Sequence, residues 1–296
     1  MSILVVGNAV VDIAYRVRRL PRPGETVLAS ARIVDVGGKG LNQAVAARRA
    51  GAEARLVAPV GRDAAARRIR GVLAREGLDP ALLVAVDAPT DEAVIWIAED
   101  GENVIVSTAD AARQLLPTDV AAVESLGPAD TLLMQGNLPT GTMARCLAVV
   151  RGCGARLVVN TAPFVPGAEL LAPIADVLVV NAGEAAGLSS ATGPEAAAEA
   201  LVGRGAGSVV VTLGAAGAHV LTDGTHHRLP APEVIAVDTT GAGDVFAGVL
   251  AAALDAGSDL RAATAWAVRA ASLKVTRAGT IAGFPTAAEV AALRPR

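Results

Sequence analysis

Short runs of Val, Ile and Leu alternate along this chain with longer runs rich in Ala and Arg. The first have strand length and the second helical length. The spacing predicts strands at Ile3–Val6, Arg55–Val60, Asp130–Met134, Arg156–Asn160, Val177–Val180 and Ser208–Leu213. It predicts helices over Asn42–Ala50, Ala64–Glu76, Thr140–Arg151, Pro194–Gly203 and Arg261–Thr276. Further on, Glu233–Val237 reads as a strand and Val245–Leu254 as a helix. Such alternation marks βαβ units on a largely parallel sheet, an α/β fold whose ligands bind beyond the carboxyl ends of the strands.

Two stretches break the alternation. Asp12–Asp35 carries Tyr15–Val17 and Thr26–Ile33 around the turn-rich Pro21-Arg22-Pro23-Gly24. Ala93–Thr108 reads as two strands joined by Glu99-Asp100-Gly101-Glu102, in which Asp-Gly favours a hairpin. Inserted hairpins project as a small separate sheet, either a hinged cover over a site or a static decoration of one edge. The expected organisation is a main body of residues 1–11, 36–89 and 110–296 with a discontinuous β-lid of residues 12–35 and 90–109.

Hydrophobic residues make up 52% of the 296 positions but aromatics only 2%, so Ala, Val, Leu and Ile must build the core. That composition suits helices packed on a sheet of branched strands. A net charge of −3 argues against a broad nucleic-acid surface, which needs concentrated positive charge. No run approaches the ~20 apolar residues of a membrane-spanning helix. The start Ser2-Ile3-Leu4-Val5-Val6-Gly7 reads as a core strand and lacks the features of a signal peptide. Neither nucleic acid nor a membrane is expected as a partner. Cys146 and Cys153 sit in no metal-ligand pattern and read as buried or incidental thiols of a reducing, cytoplasmic setting. Arginine supplies most of the positive charge; lysine occurs only at positions 39 and 274, the first inside a glycine cluster.

The richest chemistry lies in Asp238-Thr239-Thr240-Gly241-Ala242-Gly243-Asp244, a tight glycine turn between the strand and helix read above. Glycines at 241 and 243 let backbone N–H groups approach a ligand closely, and a helix start adds partial positive charge, so the turn suits a phosphate. Asp244 would be repelled by that anion unless it accepts a proton from a hydroxyl attacking it. The alternative is that Thr240 or Asp244 caps the helix. A second cluster, Gly37-Gly38-Lys39-Gly40, opens a helix at Leu41-Asn42-Gln43-Ala44. Lys39 and Asn42 there either read hydroxyls of a small polar ligand, or Asn42 caps the helix and Lys39 is solvated. Neither a P-loop nor a G-x-G-x-x-G dinucleotide fingerprint is present.

These two clusters resemble the signatures of the ribokinase-like (PfkB) carbohydrate kinase family. Further likenesses follow in the family's order: Leu20–Thr26 resembles its lid segment, Asn181-Ala182-Gly183-Glu184 its N-x-x-E motif, Thr212–Gly217 its nucleotide loop and Val275–Gly279 its C-terminal segment. The resemblance implies a three-layer α/β/α sandwich with a mostly parallel central sheet and a small β-sheet lid. It implies transfer of the γ-phosphoryl group of ATP to a sugar hydroxyl, commonly a primary one. Asp244 would be the general base, and the amides of Gly241, Ala242 and Gly243 the anion hole. Asn181, Thr212, Gly214, Gly217 and Gly243 would serve the nucleotide, and Asn181 and Glu184 would organise Mg2+ through water. Asp238 and Thr240, with backbone carbonyls at Lys274, Arg277 and Gly279 and an oxygen at or near Gly283, would bind potassium. Asp12, Gly38, Lys39 and Asn42 match positions that bind sugar hydroxyls, and family precedent suggests a homodimer paired through the lids. Blander alternatives stand beside these roles: Asp12 capping the lid, Asn181 and Glu184 forming a strand-end turn, and Thr212–Gly217 forming a plain hairpin.

Two positions depart from the ribokinase pattern. Val10 occupies the usual Asn position after the first strand, and Asn137 stands where a Glu is usual near the sugar. Losing an amide and a charge alters which hydroxyls the pocket can satisfy. Ribose, another pentose or a ketose therefore stand as expected substrates, with a nucleoside kinase or a catalytically silent sugar or nucleotide sensor as alternatives. His226-His227 reads as a solvated turn, and no histidine is placed to act as an acid-base centre.

Overall fold

The computed structural model describes residues 1–100, 102–162 and 171–295. Its strands are β1 (Ile3–Val6), β2 (Val10–Val17), β3 (Ala29–Gly37), β4 (Ala54–Val60), β5 (Leu83–Ala85), β6 (Glu92–Ala98), β7 (Asn103–Ser107), β8 (Thr131–Gln135), β9 (Arg156–Asn160), β10 (Val177–Asn181), β11 (Ser208–Thr212), β12 (Ala218–Thr222) and β13 (Thr225–Leu229). Its α-helices are α1 (Lys39–Arg49), α2 (Ala64–Arg75), α3 (Asp110–Arg113), α4 (Thr140–Cys153), α5 (Ala182–Ser189), α6 (Pro194–Gly203), α7 (Ala242–Asp255), α8 (Leu260–Lys274) and α9 (Ala287–Ala292).

One nine-stranded sheet runs in the order β13-β12-β11-β10-β9-β8-β1-β4-β5. It is parallel from β5 to β11, and only β12 and β13 run antiparallel. The two-residue period of its strands makes the layers. Ile3 and Val5 enter one hydrophobic cluster and Leu4 and Val6 the other; Val158 and Val210 divide from Val159 and Val211 in the same way. Helices α1, α2, α7 and α8 cover the first face through Leu41, Ile69, Val249 and Trp266, and α4, α5 and α6 cover the second through Met143, Leu188 and Leu201. With helices on both faces the strands read as continuous apolar runs. Cys146 is a buried residue of α4, and burial pushes its thiol up to about 12, as expected of a packing residue. No helix of the described residues is long and apolar enough to cross a membrane.

A separate four-stranded sheet, β3-β2-β6-β7, is made by the two stretches that break the alternation. Its outer strands pair antiparallel with their neighbours, and β2 and β6 run parallel in the middle. Strand β2 begins earlier than the pattern predicts, at Val10, and β3 is displaced toward the C-terminus, running from Ala29 to Gly37, which pairs with Val10. Gly101, in the turn predicted between β6 and β7, lies outside the described residues.

The structure corrects several local expectations. Glu233–Val237 forms no strand; Val234, Ile235 and Val237 are exposed, Ile235 at 87%. Its apolar run resembles a strand, but the segment pairs with no strand of either sheet. His226 and His227 lie in β13 and not in a turn; the turn is at Asp223-Gly224, both in left-handed backbone as a tight hairpin requires. His219 and His226 bond to each other at 2.8 Å, and His226 reaches Glu199 at 3.1 Å, so this pair is engaged on the sheet edge.

Candidate active site

Strand ends of the central sheet turn polar at their carboxyl termini: Gln135 ends β8, Asn160 ends β9, Asn181 ends β10 and Thr212 ends β11. Helix α1 enters beside them. Its start packs directly on the β1–β2 connection, where Gly38 adopts φ 94° and a Cβ at Gly40 would meet Asn8 N at 2.7 Å. Leu41 N donates to Asn8 O at 3.0 Å and fixes the entry. Because α1 starts at Lys39, Asn42 lies inside the helix and is no cap.

Helix α7 crosses α1 closely at Gly248, where a Cβ would come 2.5 Å from Gln43 O and 2.6 Å from Ala46 Cβ. That approach brings the first turn of α7 to the side chains of α1. Asp244, 5% exposed, accepts hydrogen bonds from Asn42 Nδ2 at 2.9 Å and from Gln43 Nε2 at 3.1 Å. Lys39 Nζ stands 4.0 Å from its Oδ1. Gln43 also donates to Asn160 Oδ1 at 3.1 Å and accepts from Gln135 Nε2 at 2.8 Å. An amide relay thus runs from the strand ends to one buried carboxylate.

The turn before α7 is set by Gly241, which has φ 76° and is the N-cap without any side-chain cap, so neither Thr240 nor Asp244 caps the helix. A Cβ at Gly241 would strike Phe284 at 2.8 Å, whereas one at Gly243 would meet nothing within 4 Å. Ala242 N bends back to Thr239 O at 3.1 Å. The amides of Gly241 and Gly243 have no protein acceptor among the described residues. Two unsatisfied donors at a helix start, beside open space, form an anion cradle.

Several buried acceptors on α1 and at and after the end of β8 lack donors: Asn42 Oδ1, Gln135 Oε1 and Asn137 Oδ1. Asp12 lies mid-strand in β2 and caps nothing; it sits opposite Asp35 across the β2–β3 ladder. Burial, Asp35 and Asp244 together raise its pKa to about 7, against a hydrogen bond from Thr280. Val10 is buried at 5%, so an apolar wall occupies its position.

Two strands away lies a second group. Asn181 and Thr212 are register partners on β10 and β11. Asn181 Oδ1 accepts from Glu184 N at 2.8 Å and Glu184 Oε2 accepts from Asn181 N at 3.0 Å, a capping box that starts α5. These residues therefore build a strand-end turn whatever else they do. Gly214 and Gly217 shape the β11–β12 connection; at Gly217, φ 91°, a Cβ would lie 2.0 Å from Leu229 O. Thr212 Oγ1 donates to Val180 O at 3.3 Å.

The third group departs most from expectation. Asp238 Oδ1 accepts from Thr240 N at 2.9 Å and Oδ2 from Gly279 N at 2.8 Å. The resemblance assigns Lys274 a backbone carbonyl in a potassium cage, yet that carbonyl accepts from Arg277 N at 3.0 Å while the side chain turns inward. Its ammonium donates to Asp238 O at 2.8 Å and Arg277 O at 3.3 Å, and lies 3.9 Å from Asp238 Oδ2. Gly283 packs against this loop, where a Cβ would meet Ala278 O at 2.7 Å. Asp238 and Arg277, two of the residues expected to hold a potassium ion, already face a positive charge, so the residues present do not fit that ion.

The structure brings Asp244, Lys39 and Asn42 together, sets Asp12 near them, and keeps Asn181, Glu184, Thr212 and Lys274 in separate groups. Sequence reasoning assigned no role to Gln43, Gln135 or Asn160. One signal was present for two of them, since a polar residue closing an otherwise apolar parallel strand marks the ligand end of the sheet. Asp35 and Thr280 carry no local signal; only the packing of β3 against the C-terminal loop places them, with Thr280 Oγ1 3.2 Å from Asp35 Oδ2.

Comparison with known proteins identifies the family of the fold. Residues 1–287 match the model of the pfkB family carbohydrate kinases. The chain is 31% identical over 295 residues to the ribokinase of Haemophilus influenzae, covering 97% of this chain and 96% of that one. It is 31% identical over 294 residues to the bifunctional ribokinase/ribose-5-phosphate isomerase A of Fructilactobacillus sanfranciscensis, spanning 96% of itself and 54% of that longer protein. The solved Arabidopsis thaliana ribokinase complexed with ribose and ATP superposes with a TM-score of 0.89 at 28% identity, over 100% of this chain and 99% of that one. The chain belongs to the pfkB carbohydrate kinase family, and its fold and enzyme class, a phosphotransferase with an alcohol acceptor, are those of ribokinase-like proteins.

Proposed function

We propose that this member of the pfkB family transfers the γ-phosphoryl group of ATP to a hydroxyl of a small sugar, ribose or a related pentose or ketose. The observation that carries the reading is the Asp244 carboxylate, held by Asn42 and Gln43 one turn from the unsatisfied amides of Gly241 and Gly243. Asp244 is the general base. The sugar hydroxyl gives it a proton as the oxygen bonds to phosphorus and the bond to the ADP oxygen breaks. Charge spread over the transferring group meets the free turn amides of Gly241 and Gly243 and the positive end of α7, the Ala242 amide of the expected anion hole being turned back to Thr239 O. These donors are in place beforehand, so the transition state gains them without reorganisation.

The sugar pocket is assigned to Asp12, Gly38, Lys39, Asn42 and Asn137. Hydroxyls supply the donors that Asn42 Oδ1, Gln135 Oε1 and Asn137 Oδ1 lack, and an unpaired buried acceptor costs about 1–3 kcal/mol. ATP is assigned to Asn181, Thr212, Gly214, Gly217 and Gly243. Asn181 and Glu184 offer hard oxygens at a strand end, which suit Mg2+ held through water; such an ion neutralises phosphate charge. The smaller sheet, residues 12–35 and 90–109, acts as the lid, and two copies pair through its exposed apolar side chains. Val10 favours a second reading, a nucleoside kinase, because it offers an apolar wall in place of a hydroxyl-reading amide. A silent sensor is disfavoured because Asp244 and both glycines are intact.

ADP release from ATP, screened over ribose, other pentoses, ketoses and nucleosides, tests the assignment. Release that depends on a sugar is expected. Release with nucleosides alone selects the second reading, and none with any acceptor removes both.

A further inference from the structure

Lys274 is the largest side chain of the described residues that is fully buried, and it is charged. An isolated ammonium cannot be buried without compensation. Here the compensation is a set of oxygens: the carbonyls of Asp238 and Arg277 as hydrogen-bond acceptors, and the Asp238 carboxylate 3.9 Å away. Carbonyls with one carboxylate are hard oxygen donors, the kind that hold a hard cation. The same carboxylate anchors both flanking loops, through Thr240 N on the side of the Gly241–Gly243 turn and Gly279 N on the C-terminal side. Any positive charge held at this point ties those loops together and stiffens the turn that presents the amides.

We propose that the Lys274 ammonium is a built-in replacement for a bound monovalent cation, so that this protein organises its Gly241–Gly243 turn without potassium. Lys274 is a positioning residue; it reaches from the last turn of α8 to the residue that opens the turn and needs no contact with substrate. A potassium ion and this ammonium cannot share the same few oxygens, because two like charges in so small a buried space repel strongly. Removing the side chain leaves the carbonyls and carboxylate in place with room between them, and such a cavity admits the ion.

The inference rests on the kinase reading only for its turnover arm; its stability arm does not. The wild-type protein is compared in KCl, NaCl and tetramethylammonium chloride at equal ionic strength, by thermal unfolding midpoint and by sugar-dependent ADP release. Both readouts are expected to be the same in all three salts. A cation that organised the turn would raise turnover about fivefold or more, so a potassium-specific gain of that size overturns the inference, as does a potassium-specific rise in the midpoint. Lys274→Ala is expected to unfold at a lower temperature and to regain both midpoint and turnover when KCl replaces tetramethylammonium chloride. A folded Lys274→Ala chain that ignores potassium in both readouts overturns it too. Where Lys274→Ala does not fold in tetramethylammonium chloride, its recovery on refolding in KCl supports the inference, and failure in both salts leaves the wild-type comparison to decide. Loss of ADP release with an unchanged salt-independent midpoint sinks the kinase reading and not this one.

Discussion

Asn42 Nδ2 donates to Asp244 Oδ2 at 2.9 Å across a separation of 202 residues, joining the first glycine cluster of the chain to the second. The bond is buried, and the same carboxylate takes Gln43 on its other oxygen. Two helices therefore meet through one acidic side chain, with its orientation set from the neighbouring helix.

Asp244→Asn keeps the shape of that side chain and removes its ability to take a proton. ATP binding is expected to stay within a few-fold of wild type while kcat falls by about 10^2–10^4. Equilibrium binding of a fluorescent ATP analogue alongside single-turnover kinetics checks this. A near-normal kcat would show that another group is the base.

Asp12 should make stability depend on pH. Its folded pKa is raised to about 7, by burial first and then by Asp35 and Asp244, above the ordinary carboxylate value it regains on unfolding. A raised acid binds its proton more tightly in the folded state. Its contribution is therefore full below pH ~4 and is lost as the pH climbs to about 7. The free energy of unfolding in urea, measured from pH 4 to 8 for wild type and Asp12→Asn, should differ by a slope confined to that window. Parallel curves would refute the assignment.

Gly248→Ala places a methyl group 2.5 Å from Gln43 O, so α7 must move away from α1. A loss of about 1–3 kcal/mol in stability is expected, together with a fall in kcat as Asp244 leaves Asn42. The control is Gly152→Ala, an exposed helical site whose added Cβ meets nothing within 4 Å, which should be neutral or stabilising by up to about 1 kcal/mol. Denaturant melts of both variants decide; equal effects would show that close helix approach is not what requires Gly248.

In the smaller sheet Ile33 and Ile105 share one face through the register Ile33–Ala14–Ile95–Ile105, and both are exposed, Ile105 at 52%. Pairing of two copies through this face predicts a dimer by sedimentation equilibrium at micromolar concentration. Ile105→Lys, on the same exposed strand, should shift the mass to that of a monomer without lowering the unfolding midpoint. A wild-type monomer would end the proposal.

Much of this molecule is local and was legible as such. Strands such as Ile3–Val6 and Arg156–Asn160 fall where their apolar runs end, because a strand buried on both faces must be apolar throughout its length. Glycine at 241 was readable as an anion turn because a left-handed residue before a helix is a local backbone requirement. By contrast, Glu233–Val237 has strand composition but pairs with no strand, and a strand exists only by pairing. The amide relay through Gln43, Asn160 and Gln135 spans separations of 92 to 201 residues, beyond the reach of any pattern along the chain. Lys274 makes the same point most sharply. Sequence reading marked the position through its main chain, and only the fold turned its side chain into a ring of oxygens, because a buried charge goes wherever distant parts of the chain gather the groups that can hold it.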